Sequence, residues 1–307
     1  MPSAIRMDMA ERLSDLRGRG RAPIRARWPA GARLALSFVL NIEEGAERNI
    51  LDGDPAAEHL NADMLCDPWR EARNLVMESH YEYGSRVGLW RILDLFRARS
   101  LPLTAFAVGQ ALARMPEIAP ALMADGHEVA AHGWRWIDYR AVPPEIEAEH
   151  IRRTVATIRQ QTGQAPVGWY TGRVSANTRR LVLEHGGFLY DSDAYNDDTP
   201  YFVQHPGGAH LILPYCFDTN DMRFASSPGF DTGQAWVDHL VDTFDLLWRE
   251  GERAPRMMSV GLHCRLAGKP ARLRALQRFL DHVARHQGVW IARRDAIARH
   301  WLTQEDR

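Results

Sequence analysis

The segment Arg33–Asn41, RLALSFVLN, decides the fold class of this chain. Apolar residues at nearly every position predict a strand that is buried on both faces, as the strands of parallel sheets are. The segment 83–100, YGSRVGLWRILDLFRARS, spaces its apolar residues at helical intervals, and the segment 101–108, LPLTAFAV, predicts a second buried strand. This succession of strand, helix and strand indicates an α/β fold with parallel strands.

The same alternation continues along the rest of the chain. We predict further strands in 127–133, 165–171, 210–215 and 256–263, and helices in 116–126, 142–163, 175–187, 235–251 and 271–288. The helix in 175–187 should be capped by Ser175 and end at Gly186. The alternation lacks a Gly-rich nucleotide-binding fingerprint, which favours an α/β barrel over a doubly wound sheet. We expect one barrel domain over residues 31–307, with residues 1–30 forming an N-terminal arm packed on it.

Composition excludes several classes of protein. The 307 residues are 45% hydrophobic and 25% charged with a formal charge of -1, which predicts no bulk attraction to nucleic acid or to membranes. The basic stretch Arg17–Arg27 is better interpreted as a solvated arm than as a nucleic-acid site. Neither a signal peptide nor an apolar run of membrane-spanning length is recognisable, and the three cysteines are widely spaced, so we expect a cytoplasmic protein.

Reactive side chains follow several of the predicted strands. In parallel barrels the catalytic groups lie at the carboxyl ends of the strands. The residues at these ends are Glu43, Glu44, His132, Tyr170, Asp191, Asp193 and His263. A buried histidine or a strand-end acid is often only structural, so the hypothesis of an active site depends on all of them occurring together.

The order of these groups resembles the polysaccharide deacetylase superfamily, which implies a single-domain distorted (β/α) barrel. In that family the first strand is followed by a catalytic base and a metal-binding aspartate, which match Glu43 and Glu44. Two histidine ligands four residues apart match His132 and Trp136, and a late histidine that assists the leaving group matches His263. The family's usual zinc site is therefore in doubt, because zinc normally takes three protein ligands and an indole has no lone pair to coordinate.

These departures resemble one branch of the superfamily, the cofactor-independent bacterial allantoinases. Eight segments carry the likeness: VLNIEEGAE, ESHYEYGSR, HGWRWIDY, GWYTGR, NTRRLV, GGFLYDSDAY, NDMRF and GLHCRLAGKP. The resemblance implies hydrolysis of a small cyclic amide, allantoin first, in purine catabolism, with no cofactor and with zinc as the alternative. It also implies a homo-oligomer, for which a tetramer is one candidate. Ile42 and Ala46 stand where this branch is expected to have tyrosine and glycine, so a cyclic imide or hydantoin hydrolase stays open.

Ring opening needs an activated water, a stabilised oxyanion and a proton for the departing nitrogen. Our hypothesis is that Glu43 or Glu44 takes the proton from water, that His263 protonates the nitrogen, and that His132 helps to polarise the carbonyl. We expect substrate contacts from Trp136, Tyr170, Arg173, Asp193, Asn220 and Arg223. The alternative role of Arg173 is that of a structural ion-pair partner. The alternative role of Asp193 is to cap a turn. The other hypotheses are a zinc-dependent carbohydrate deacetylase and a catalytically inactive binding module.

Overall fold

The computed structural model describes residues 21, 26–64 and 66–304. Most of the predicted N-terminal arm, and most of its basic stretch, therefore lies outside the described residues. The strands are β1 Leu34–Ile42, β2 Thr104–Ala107, β3 Glu128–Ala131, β4 Gly168–Trp169, β5 Tyr190–Asp191, β6 Tyr201–His205, β7 Gly208–Ile212, β8 Arg256–His263 and β9 Val289–Ile291. The helices are α1 Leu75–Tyr83, α2 Leu89–Ala98, α3 Gly109–Arg114, α4 Ile118–Ala124, α5 Pro144–Thr162, α6 Thr178–His185, α7 Gly233–Glu250, α8 Cys264–Ala267, α9 Pro270–Val283 and α10 Arg294–Leu302.

The strands form one sheet that curls into a half-barrel, which confirms the predicted single-domain α/β fold. The sheet order is β6-β7-β5-β4-β3-β2-β1-β8, with β9 also paired to β1. Every pairing is parallel except the hairpin of β6 and β7. The carboxyl ends of β1, β2, β3, β4, β5 and β8 therefore meet at one edge, where the candidate residues were expected.

Strand β1 pairs with three other strands, β2, β8 and β9, and all nine of its residues are buried. Leu36, Phe38 and Leu40 belong to the large core shared with the surrounding helices. Val39 lies instead in a small inner cluster with Phe106, Ala130, Tyr170 and Tyr215. Because side chains alternate along a strand, Asn41 and then Glu43 follow Val39 on the concave side of the sheet.

Local sequence explains most of the helix ends. Helix α5 begins behind Pro143, has Glu145 in its first turn and ends at Gly163, whose φ of 76° is in the left-handed region. The predicted cap of α6 was wrong, because that helix begins at Thr178 with Asn177 at its N-cap. Ser175 lies in the preceding turn instead, where its hydroxyl accepts a hydrogen bond from the backbone N of Asn177.

Some elements escaped the sequence analysis. Helix α1 and helix α2 are joined by a π-helical turn, Gly84–Gly88, into one long segment. Strand β6 is only half-buried, which weakens the apolar signal expected of a strand. None of the described helices is long and apolar enough to cross a membrane.

Candidate active site

A small cavity of about 100 Å³ opens at the carboxyl edge of the sheet. Its volume is well below the roughly 300–1,000 Å³ of pockets for drug-sized ligands. The residues that line it are Asn41, Glu43, Asn61, His132, Trp136, Tyr170, Gly172, Arg173, Tyr215, Phe217, Asn220, Met222 and His263. The structure thus brings together seven of the ten residues proposed for the site.

Glu43 is the carboxylate that reaches this cavity. Its Oε1 lies 3.3 Å from Nε2 of His132 and 3.5 Å from Nε2 of His263. Its Oε2 accepts a hydrogen bond of 2.7 Å from Nη2 of Arg265. Burial alone would raise the pKa of Glu43, but the charges of His263 and Arg265 outweigh it and hold the pKa well below its usual range. Glu43 is therefore an ionised carboxylate.

His263 is built as a proton donor. Its Nδ1 donates to Oδ1 of Asp221 at 2.6 Å, and its backbone N donates to Oδ2 of the same carboxylate at 2.8 Å. Burial favours the neutral ring, but the negative charges of Glu43 and Asp221 prevail and raise the pKa of His263 to about 9. The ring is cationic at neutral pH, with its Nε2 proton directed toward Glu43.

His132 contacts the other side of the same carboxylate oxygen. Its Nδ1 lies 3.1 Å from the backbone oxygen of Tyr170, which can only accept, so Nδ1 carries a proton. Nε2 can then donate to Glu43 only in the doubly protonated imidazolium. The Tyr170 ring stacks on His132 with centroids 4.9 Å apart and fixes the plane of the imidazole.

Arg265 is the main functional candidate that sequence reasoning missed. It is fully buried, and its Nη1 donates to Oε1 of Glu44 at 3.1 Å while Nη2 donates to Glu43. The guanidinium also lies over the ring of Tyr81, 4.0 Å from the centroid. Glu44 is thereby placed behind Arg265 rather than in the lining of the cavity. The sequence signal was an arginine two residues after His263, in GLHCRLAGKP.

Trp136 occupies the position matched to the family's second zinc-binding histidine. Arg173 lies over its indole at 3.4 Å from the ring centroid, and Arg265 lies at 5.5 Å. Arg173 also donates to Oε2 of buried Glu58 at 3.3 Å, so it is both an ion-pair partner and a lining residue. Trp136 therefore faces two guanidinium groups.

Tyr215 offers a hydroxyl proton to the cavity. The backbone N of Met222 donates to Oδ1 of Asn220 and so orients the amide of Asn220. The amide of Asn41 is oriented because its Nδ2 donates to the backbone oxygen of Leu262. Both Nδ2 groups then donate to the Tyr215 oxygen at 3.1 Å. No acceptor for the Tyr215 proton lies among the described residues, so that proton is available to a ligand.

Asp193 and Arg223 are not brought to the cavity. Asp193 accepts hydrogen bonds from the backbone N of Thr171 and of Gly172, which makes it a support for the turn that carries Arg173. Burial and the charge of Asp191 raise the pKa of Asp193 to about 7. Arg223 instead pairs with Asp218 at 2.9 Å.

The side chains of the cavity do not fit the zinc site of the family. In the part of the chain that the structure describes, no three His, Cys, Asp or Glu side chains of the cavity bring ligand atoms within 4.8 Å of one another. Glu44, matched to the metal-binding aspartate, is bound by Arg265 instead. His127 does not complete a site either, because it precedes β3 whereas His132 follows it.

Comparison with known proteins agrees with this geometry. The polysaccharide deacetylase family profile matches residues 74–187. A Schizosaccharomyces pombe protein that bears the name polysaccharide deacetylase is 43% identical, and the match covers 94% of this chain and 96% of that protein. The chain therefore belongs to the polysaccharide deacetylase family.

Two solved structures are more similar still. The crystal structure of PuuE allantoinase has a TM-score of 0.94 at 52% identity, and the match covers 96% of this chain and 98% of that one. A protein of Pseudomonas aeruginosa PAO1 that bears the name polysaccharide deacetylase has a TM-score of 0.93 at 51% identity, with 95% and 98% covered. The allantoinase-like branch fits this chain, and its fold is that of a hydrolase superfamily.

Proposed function

We propose that the protein opens the ring of a small cyclic amide by hydrolysis, with conversion of allantoin to allantoate in purine catabolism as the first candidate reaction. The similarity to PuuE allantoinase supports this substrate class. The observation that carries the proposal is the single carboxylate oxygen of Glu43, which contacts the Nε2 atoms of both His132 and His263 at the cavity floor.

In the proposed mechanism Glu43 activates water. The ionised carboxylate takes a proton from a water molecule as the water oxygen attacks the ring carbonyl carbon. A carboxylate with a lowered pKa is a weak base, so the carbonyl has to be polarised at the same time. Tyr215 is the proposed hydrogen-bond donor to the developing oxyanion, Arg173 adds positive charge nearby, and His132 is the proposed second polar contact of the carbonyl.

His263 completes the proton balance. When the ring C–N bond breaks, the proton on Nε2 of His263 moves to the departing nitrogen. Glu43 then holds the proton from water and His263 is neutral. The two groups are 3.5 Å apart, so the proton can pass from Glu43 back to His263 and restore the starting state. The net change is one water added across the C–N bond.

Arg265 supports a mechanism without a required metal. Its guanidinium places a permanent positive charge next to Glu43 and Glu44. In the family, the positions that match these two residues supply the catalytic base and a metal ligand. Arginine suits this position because its planar fork satisfies two carboxylates at once. Glu44 is then a positioning residue that holds Arg265 in place.

The walls favour a compact ring over a polymer. Aromatic side chains of Trp136, Tyr170 and Phe217 line the small cavity and can cover the faces of a planar heterocycle. A carbohydrate N-deacetylase, which the name of the S. pombe relative suggests, would have to admit a sugar chain into about 100 Å³. A cyclic imide or hydantoin hydrolase remains the second candidate, since these rings present the same carbonyl and N–H groups.

A substrate panel tests the proposal. The purified protein is assayed with allantoin, hydantoin, dihydrouracil, succinimide and an N-acetylglucosamine oligomer, each followed by its own product. We expect turnover of allantoin and no release of acetate from the oligomer. Turnover of succinimide or hydantoin alone would move the protein to the second candidate. Acetate release without opening of any ring would overturn the proposal.

A further inference from the structure

A group of metal-ligand side chains lies outside the active site, between helices α7 and α9. Asp245 on α7 and His282 on α9 face each other, and His286 follows one turn later. One ligand atom from each of the three residues lies within 4.8 Å of the others. The group is near the carboxyl ends of both helices, whose partial negative charge favours a cation. These helix ends precede β8 and β9, so the group lies at the opposite end of the barrel from the cavity.

The spacing suits a divalent ion. Nε2 of His282 is 2.7 Å from Oδ1 of Asp245, and Nε2 of His286 is 3.9 Å from the same oxygen. In a tetrahedral zinc site the bonds from the ion to nitrogen and oxygen are about 2.0–2.1 Å long. This geometry requires that the ligand atoms lie roughly 3.3 Å apart. One observed distance is shorter than this value and the other is longer. Sub-ångström shifts of the side chains are therefore sufficient to bring the ligand atoms to the spacing that zinc requires.

The second contacts of the rings prepare them for coordination. Nδ1 of His286 lies 3.0 Å from the backbone oxygen of His282, which can only accept, so the Nε2 lone pair of His286 faces Asp245. Metal-binding histidines are commonly oriented by such a bond to a carbonyl. The two rings also pack edge-on against buried Phe244, at centroid distances of 5.6 Å and 5.1 Å. This packing restricts both rings before any ion arrives.

An ion can reach the group from solvent. Asp245 and His286 line an open depression of about 440 Å³, together with Asp242 and Trp248. Asp242 lies nearly one turn before Asp245 on α7 and adds a second negative charge. The depression leaves room for water in the fourth coordination position. Arg249, which also lines it, is the positive charge that opposes binding.

We propose that Asp245, His282 and His286 bind one divalent transition-metal ion of zinc-like preference, which ties α7 to α9. Two imidazoles and one carboxylate are a ligand set that zinc accepts, and softer thiolate ligands are absent from the three. The site is independent of ring hydrolysis. It has one practical consequence for the active site: zinc found on the purified protein would belong to α7 and α9, not to the catalytic cavity.

The test measures zinc binding by calorimetry to the full chain, produced without a polyhistidine tag and stripped of metals by a chelator. We expect one equivalent to bind, and the affinity to fall at least about tenfold in His286→Gln and in Asp245→Asn, since each loses one of three ligands. His239→Gln is the matched control, because it makes the same change on α7 at a histidine that pairs with Asp218. It should bind zinc as the parent does.

Thermal unfolding provides the second measurement. Saturating zinc should raise the Tm of the parent by about 2 °C or more and leave the His282→Gln/His286→Gln double variant unchanged. Absence of zinc binding by the parent, or undiminished binding by the double variant, would overturn the proposal. Asp245→Asn keeps both rings packed on Phe244, so the test stands even if the histidine variants fail to fold.

Discussion

Glu43 is a buried negative charge whose surroundings decide what it can do. Arg265 on one oxygen and two imidazoles on the other keep it ionised although the residue is almost fully buried. Glu44 has comparable burial but contacts Arg265 and the backbone N of Glu43. Adjacent residues of the same type therefore have different roles, because only one of them lies in the register that faces the concave side of the sheet.

The first prediction concerns this difference. Glu43→Gln should lower kcat by roughly 10²–10⁴-fold, since the amide cannot accept the proton from water. Steady-state kinetics on the substrate that the panel identifies gives the measurement. The control is Glu47→Gln, a buried carboxyl whose pKa burial raises to about 7 and which does not line the cavity. Near-normal turnover by Glu43→Gln would rule out its role as base.

The second prediction concerns pH. His263 acts as an acid only while protonated, so kcat/KM should fall as pH rises through about 9. Asp221→Asn removes a negative charge that raises this pKa, and the alkaline limb should move to lower pH. The raised pKa also stabilises the fold: that contribution is complete below the unfolded value of about 6.5 and is lost as pH rises through about 9. An alkaline limb that stays in place in Asp221→Asn would contradict the assignment.

At the scale of elements, the π-helical turn Gly84–Gly88 determines how closely the α1–α2 segment approaches the site. A Cβ at Gly84 would collide with the carboxylate of Glu44, and a Cβ at Gly88 would collide with the carbonyl oxygen of Cys264 at the start of α8. Helix α8 carries Arg265. Two glycines thus allow the contact between a long helix and the residues that hold Arg265.

The third prediction follows from this packing. In an unconstrained helix Gly→Ala stabilises by up to about 1 kcal/mol. At Gly88 the collision is with backbone, so we expect Gly88→Ala to lower the free energy of unfolding by about 1–3 kcal/mol and to lower kcat by displacing Arg265. Ser85→Ala, in the same turn, should stay within about 0.5 kcal/mol of the parent in chemical denaturation. A stabilised, fully active Gly88→Ala protein would refute the argument.

The predictability of the site follows from the same elements. Glu43, His132, Tyr170 and His263 could be predicted because each directly follows or ends a recognisable strand, and parallel strands end at one edge. Arg265 and Tyr215 were not predicted, because their roles depend on contacts with Glu43 and Asn41, more than 170 residues away in the chain. Arg223 illustrates the converse: its motif suggested a substrate contact, yet its neighbour Asp218 holds it outside the cavity.

At the scale of the whole molecule, the candidate active site and the proposed ion site lie at opposite ends of the barrel. The carboxyl edge of the sheet carries a carboxylate, two imidazoles and fixed arginine charges, and the opposite end carries the proposed ion site of α7 and α9. The fold class was predictable from alternation alone. The two-residue strand β4 was recognisable only as part of the longer predicted segment 165–171. Strand β5, also of two residues, was not among the predicted strand segments.

This separation leads to the last prediction, which concerns metal removal. Prolonged dialysis against a strong chelator should strip zinc from the outer helices and leave ring hydrolysis near its starting rate, because Arg265 is not removable. Metal analysis and activity are measured on the same samples, for the parent and for the His282→Gln/His286→Gln double variant. In the double variant, loss of activity on chelation with recovery on added zinc would place an essential ion in the cavity. That outcome would contradict the proposed metal-independent mechanism while leaving the assignment of the outer site to be judged by calorimetry.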